Sequence, residues 1–285
     1  MSGSNESGKN APHRGSPDYS HDKGPLLGQQ VGGSEHYDPS LLFPVPRANA
    51  RASLPQNIFA GFGEDIWHAY ELSWLNAKGM PQAFLGTFSI PANSENIIES
   101  KSFKLYLNSL NGHAFDSEEL ASQTIERDLS EVAKARVSLT LHGVDDGVYE
   151  GVCLRGDCLD GLEVSVPEKP DVQLLEAAAG NARVYTHLMR SLCPVTAQPD
   201  WATVIIETRG VSAKREQLLS YLLAYRNHQE FHEQCVERIY TDLWAKLGPD
   251  YLSVQALYTR RGGLDICPWR CSESQPAPRG RMNRQ

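Results

Sequence analysis

The chain has 285 residues, 40% of them hydrophobic, and a formal net charge of −8. That length allows one large domain or two small ones, each burying a core. The acidic balance argues against a protein built to hold a nucleic-acid backbone, and no apolar run approaches the roughly 18 residues of a membrane span or forms a secretory signal core.

In chain order, residues 1–36 are rich in Ser, Gly, Asn, Asp and Pro without apolar periodicity, which predicts a flexible leader. Trp67–Leu75 and Ala83–Ile90 are apolar and aromatic and flank a Gly-Met-Pro break at Gly79–Pro81, the pattern of two strands joined by a turn. Phe103, Leu107 and Leu110 recur at helical spacing. A second helix is expected from Asp116, placed as a cap with Glu119 three residues on. Val137, Leu139 and Leu141 alternate as a strand.

The same order then returns. Strands are expected at Val184–Arg190 and Thr203–Thr208, helices at Lys214–Arg226 and Phe231–Leu247, and a strand at Ser253–Arg260. Identity between the halves is faint: Asn111 and Phe115 are echoed by Asn227 and Phe231, and Asp128-Leu129 by Asp242-Leu243. Two strand-strand-helix-helix-strand-strand units predict an α+β fold with antiparallel sheets and helices on one face. The modules are expected at 37–168 and 169–270, meeting near Val166–Gln173, with a flexible tail at 271–285.

Six cysteines are too sparse for a disulfide scaffold, which fits free thiols in a reducing compartment, the cytoplasm. Cys193 in SLCPVTAQPDW stands out, because flanking strands would put it and Asp200 at opposite ends of one short loop. A thiol and an acid so placed can do chemistry if a neighbour activates the thiol; a buried structural cysteine before a turn is the plainer reading. His228, His232 and Cys235 share helical spacings that suggest a zinc site, but Gln229 stands where a zinc protease needs Glu, and solvated histidines at a helix start explain the segment as well.

Glu99, Ser100 and Lys101 precede an amphipathic helix, a place that suits an anionic ligand or simply starts the helix. RRGG at Arg260–Gly263 can clamp a phosphate or turn the chain. Neither a GxGxxG dinucleotide fingerprint nor a P-loop is present, and the x4 and x3 spacings of Cys153/Cys158 and Cys267/Cys271 do not make a zinc ribbon.

ESKSFKLYLNS, SLCPVTAQPDW, EFHEQCVERI and YTRRGGLDI occur in this order in one chain. Together they closely resemble the NADPH-dependent 7-cyano-7-deazaguanine reductases, the nitrile reductases of queuosine biosynthesis, over roughly Leu41–Arg270 and in the long two-module form. The resemblance implies two tandem tunnelling-fold modules and a site built from both halves. It implies that Cys193 is the nucleophile that captures the nitrile as a thioimide and Asp200 the acid. Ile98, Glu99, Ser100, Phe231, His232 and Glu233 match substrate positions, and Ser100, Lys101, Arg261 and Gly262 match contacts to NADPH, spent twice per product. No metal is implied, and a homodimer is expected. A zinc-dependent cyclohydrolase of the same fold and a non-catalytic purine or pterin binder are the alternatives.

Overall fold

The computed structural model describes residues 36–55 and 61–285; the expected leader, apart from His36, lies outside the described residues. A short strand β1 (Pro44–Pro46) leads into a single turn of helix, α1 (Arg47–Arg51). β2 (Phe62–Asn76) and β3 (Pro81–Pro91) form a hairpin, and β4 (Asn96–Ile98) returns to pair with β1. α2 (Ser100–Ser109), β5 (Ala114–Phe115), α3 (Glu118–Ala133) and β6 (Ser138–His142) complete the first half. β7 (Asp157–Cys158) lies in the connection between the halves, and the second half runs β8 (Ala177–Ala179), β9 (Ala182–Leu192), β10 (Pro199–Arg209), β11 (Val211–Ala213), α4 (Arg215–Leu223), α5 (His232–Leu247), β12 (Tyr251–Tyr258) and β13 (Leu264–Cys271).

The fold is α+β and its long strand pairs are antiparallel, as the patterning predicts. The two halves do not keep separate main sheets, however. Among the described residues they share one nine-stranded sheet of order β6-β3-β2-β13-β12-β10-β9-β7, with β5 beside β2. The join is β13 against β2, in register from Leu264↔Ala69 to Cys271↔Phe62. The sequence reading assigns no strand to 264–271, and the reason is physical. Every β13 residue is buried, so the alternation that marks a half-exposed strand is absent.

All four longer helices lie on one face. Trp67 and Ala69 of β2 and Ile266 of β13 meet Phe103 of α2 and Ile125 of α3, while Val204, Ile206 and Val254 meet Leu219 of α4 and Ile239 of α5. On the opposite face Ile66, Leu257, Cys267 and Trp269 form a smaller apolar cluster with Ala277. The tail therefore departs from the expectation of looseness: Ala277, Arg281 and Gln285 are buried, and Arg281 Nη2 donates to the Gln285 carbonyl at 2.7 Å. Its apolar residues are too few to show periodicity, yet they cover a sheet face that would otherwise meet water.

Among the described residues the first half has no strand directly after β6 to match β13. Residues 143–156 cross the open face instead, with Tyr149 packed on His68 and Tyr70 at 4.9 and 5.2 Å between ring centroids, and lead to β7 at the far edge. α3 is capped by Ser117, whose hydroxyl accepts from Leu120 N–H at 3.2 Å, and not by Asp116. The faint echo of Asp128 in Asp242 has a structural meaning. Tyr106 of α2 donates to Asp128 at 2.8 Å, and Tyr221 of α4 donates to Asp242 at 2.7 Å, the same buried pair in each half. Among the described residues no helix is long and apolar enough to cross a membrane.

Candidate active site

β9 and β10 form the hairpin that carries the thiol. Cys193 N–H donates to Gln198 O at 2.9 Å and Ala197 N–H to Cys193 O at 3.0 Å, with Ala197 at φ 54°, so the turn is closed at both ends. Asp200 lies just inside β10 opposite Ser191, 4% exposed, and its side chain faces the helices. Cys193 is half-buried.

Four segments meet this hairpin around a cavity of ≈300 Å³, at the lower end of the usual range for small-ligand pockets. The β4–α2 junction supplies Ile98, Glu99, Ser100 and Lys101, and the start of α5 supplies Phe231, His232 and Glu233. Arg261 enters from the β12–β13 turn, and Trp67, Leu264 and Ile266 give apolar lining from the central strands. The hairpin adds Cys193 and Asp200. Of the site residues that the family resemblance implies, Gly262 alone does not line this cavity. It lies beside Lys104 at φ 57° in the turn that delivers Arg261, a left-handed conformation that glycine adopts without strain.

The chemistry at Asp200 is set by two partners. Arg261 Nη1 donates to Oδ1 at 2.5 Å, and His232 Nε2 lies 3.2 Å from Oδ2. Burial alone would raise the Asp200 carboxyl, but His232 and Arg261 outweigh it and hold the group below the usual carboxylate range. In the free site Asp200 is therefore a carboxylate. His232 is fixed by stacking on Tyr258, with centroids 3.8 Å apart and planes 9° apart, and its Nδ1 finds no partner among the described residues.

Glu99 is buried and caps α2, accepting from Lys101 N–H at 2.9 Å and Ser102 N–H at 2.7 Å. That corrects one sequence expectation: those amides are taken by the chain's own carboxylate, so they are not open to an anion. Glu233, one residue into α5, is 2% exposed, and burial, reinforced by the Asp65 charge, pushes its carboxyl up to about 8. Once ionised, a carboxylate at a cavity wall suits a ligand edge that brings N–H donors.

Lys104 is a site residue that the sequence reading missed. It lines the cavity, and burial followed by the Arg261 charge lowers its pKa while Glu99, Asp200 and Cys193 oppose the shift. Its i+3 and i+4 spacing from Lys101 and Ser100 was the available signal.

The proposed zinc set does not assemble. His228 Nε2 pairs with Glu230 at 2.8 Å, His232 with Asp200, and Cys235 is fully buried on α5, where burial pushes its thiol pKa well up. Among the described residues, the His, Cys and acid groups that do converge are His68–Asp265–Cys267 and Cys158–Asp160–His187. Neither belongs to this cavity.

Two family matches cover most of these segments, with Cys193 lying between them. Residues 34–141 match the family described as nitrile reductase, 7-cyano-7-deazaguanine-reductase N-term, and 199–277 match the QueF-like protein family. A protein of Chromohalobacter salexigens named NADPH-dependent 7-cyano-7-deazaguanine reductase is 48% identical over 257 residues, 88% of this chain and 93% of its own length. The chain belongs to this reductase family. Reductases of the same name from Teredinibacter turnerae, 48% identical over 254 residues (88% of this chain, 92% of its own), and Acinetobacter baumannii strain SDF, 46% over 256 residues (87% and 93%), agree with the assignment. The solved apo archaeosine synthase QueF-Like is 20% identical and covers 39% of this chain and 100% of its own, with a TM-score of 0.29, a weak likeness.

Proposed function

We propose that this reductase converts the nitrile of 7-cyano-7-deazaguanine to the aminomethyl group in queuosine biosynthesis, with Cys193 as covalent nucleophile. The observation that carries this reading is the meeting of Cys193, Asp200, His232, Glu233 and Glu99, from three separate segments, in one cavity sized for a flat bicyclic ligand. The family's names supply the nitrile and the reductant, and the cavity supplies groups suited to both.

Glu233 receives the N–H donors of the deazaguanine edge, and Phe231 and Ile98 lie against the ring. The Cys193 sulfur bonds to the nitrile carbon while one C–N π bond breaks, giving a thioimide. Asp200, a carboxylate at the outset, takes the thiol proton and returns it to the nitrogen, so it acts as base before it acts as acid. Covalent capture replaces a hydride addition to an unreactive triple bond by additions to C=N groups. Once one hydride had been added to the thioimide carbon, expulsion of the Cys193 thiolate from the resulting tetrahedral carbon would leave an imine, and a second hydride would take that imine to the amine. The cavity walls keep water from that imine.

NADPH, when bound, supplies two electrons each time, and two molecules account for the four that separate nitrile from amine. Lys101, Lys104 and Arg261 line the cavity and Ser100 stands beside them, cationic and hydroxyl groups that fit a phosphate-rich cofactor. Arg261 has Asp200 as its partner in the free protein. Exchange of that partner for a phosphate would remove one of the two groups that hold Asp200 down, with His232 remaining, and so move its carboxyl upward when the cofactor is in place.

We further infer two tunnelling-fold modules, 37–168 and 169–270, joined as one sheet. The open edges at β6 and β7 support association as a homodimer. Six unpaired cysteines support a cytoplasmic setting. The test is stoichiometric: mixing protein, nitrile and NADPH should oxidise two cofactors per amine formed, and protein with the nitrile alone should gain one substrate mass on the peptide holding Cys193. A product formed without that adduct would remove the covalent step.

A further inference from the structure

Five charged side chains gather behind Glu233, and no step above uses them. Arg47 and Arg51 come from α1, Asp65 from β2, Glu237 from α5 and Arg270 from β13. Asp65 accepts from Arg47 Nη2 at 2.5 Å and from Arg270 Nη1 at 2.7 Å. Glu237 Oε1 accepts from Arg270 Nη2 and Arg51 Nη2, each at 2.8 Å, and Arg47 Nη1 lies 3.4 Å away. Arg47, Asp65, Glu237 and Arg270 are all 2% exposed or less.

Four buried charges are a poor way to gain stability, because an apolar cluster of the same volume does at least as well. Their placement points to another task. Glu237 follows Glu233 by one turn on the same side of α5. Its partners Arg47 and Arg51 belong to the first half of the chain, and Asp65 ties Arg47 to Arg270. Three arginines and two carboxylates interleave there, and Arg47, Asp65 and Arg270 act electrostatically on Glu233.

We propose that Arg47, Arg51, Asp65, Glu237 and Arg270 are positioning residues for base recognition: through Glu237, one turn after Glu233, they lock the start of α5 onto the other half of the chain and surround Glu233 with fixed charges. The proposal rests on Glu233 being the group that receives the deazaguanine edge. The charged and titratable groups around Glu233 are Arg47 from α1, Asp65 from β2, Arg270 from β13 and Glu237 on its own helix. Across the cavity stand Glu99, Lys101, Lys104, Cys193, Asp200, His232 and Arg261. Burial first, and then Asp65, push the Glu233 carboxyl up to about 8, while Arg47 and Arg270 pull it down. Only the ionised carboxylate accepts two N–H donors side by side, so binding should strengthen as pH rises and level off above the Glu233 value.

The test titrates Cys193→Ala protein with 7-cyano-7-deazaguanine by calorimetry across this range. Affinity should rise about tenfold per pH unit on the acid side and level off near 8. Adding Asp65→Asn removes the like charge and should lower the midpoint by about one unit; adding Arg47→Met removes a cation and should raise it by about as much, with Arg47→Lys restoring it. Packing damage alone would weaken binding at every pH without moving the midpoint in opposite directions. Should either variant fail to fold, Arg51→Gln at the half-buried end of the cluster should raise the midpoint by a smaller step. Unmoved midpoints in variants that bind overturn the proposal alone, whereas no binding by the Cys193→Ala parent at any pH overturns the reading of the cavity and the proposal with it.

Discussion

The starts of α2 and α4 occupy equivalent places in the two halves, yet only one of them borders the candidate active site. Each follows a short strand paired to the strand that opens its half, β4 with β1 and β11 with β8. At the first, buried Glu99 caps α2 beside Cys193; at the second, Lys214 makes no side-chain cap bond and pairs with Glu176 at the surface. Space does not separate them, since a cavity of ≈340 Å³ also opens beside α4. What differs is the company. The β9–β10 hairpin brings a thiol and a carboxylate to α2, and the start of α5 adds His232 and Glu233. A repeated scaffold thus supplies two niches, and residues at strand and helix ends decide which one does chemistry.

The largest effect that could break this contrast is at the thiol. Cys193→Ala should lower turnover by at least about a thousandfold while still binding the base, whereas Cys158→Ala, an exposed thiol outside the cavity, should leave the rate unchanged. Steady-state NADPH oxidation with each protein checks both. Next, Asp200→Asn should cost about a hundredfold to ten-thousandfold in rate. Because the wild-type group titrates below the usual carboxylate range, turnover with substrate saturating, where the ionisation of Glu233 no longer limits binding, should persist as pH falls through ordinary carboxylate values and fail only at the lower Asp200 value. A saturating-substrate profile breaking well above that range would remove Asp200 as the initial base.

Smaller effects sharpen the contrast. Lys104→Met should raise the NADPH KM by about tenfold or more, the worth of one charge-assisted contact, while Lys214→Met at the other helix start should change it by less than about twofold. The buried tyrosines should behave alike in kind. Tyr106→Phe and Tyr221→Phe each lose a hydrogen bond worth about 1 kcal/mol, seen as a lowered melting temperature. Tyr221→Phe should be the costlier, because Asp128 keeps Tyr37 and Arg127 as donors.

Much of this was legible in the sequence for identifiable reasons. β2, β3, β9 and β10 were found because Trp67 to Leu75 and its counterparts carry strong apolar signals, although each strand runs further than predicted. β13 was missed because burial on both sides erases alternation, and the tail because Ala277, Arg281 and Gln285 act through single contacts. At the site, the motifs named the residues that meet in the cavity, but not their partners. That Arg261 holds Asp200, that Glu99 caps its own helix, and that Arg47 reaches Glu237 across 190 residues are facts of packing. No local pattern encodes them.

The pairing of β2 with β13 also governs when activity can arise. His68 and Asp265 touch although 197 residues separate them, and Arg261 and Arg270 belong to the same late stretch of chain. Contacts so distant in sequence close slowly and late. During synthesis on the ribosome, the earlier strands can pair as they emerge, but the seam at the centre of the sheet stays open until Cys271 has left the exit tunnel. The newborn protein is therefore inert until its final strand docks, and a transcript cut short anywhere before that point should yield no partial enzyme.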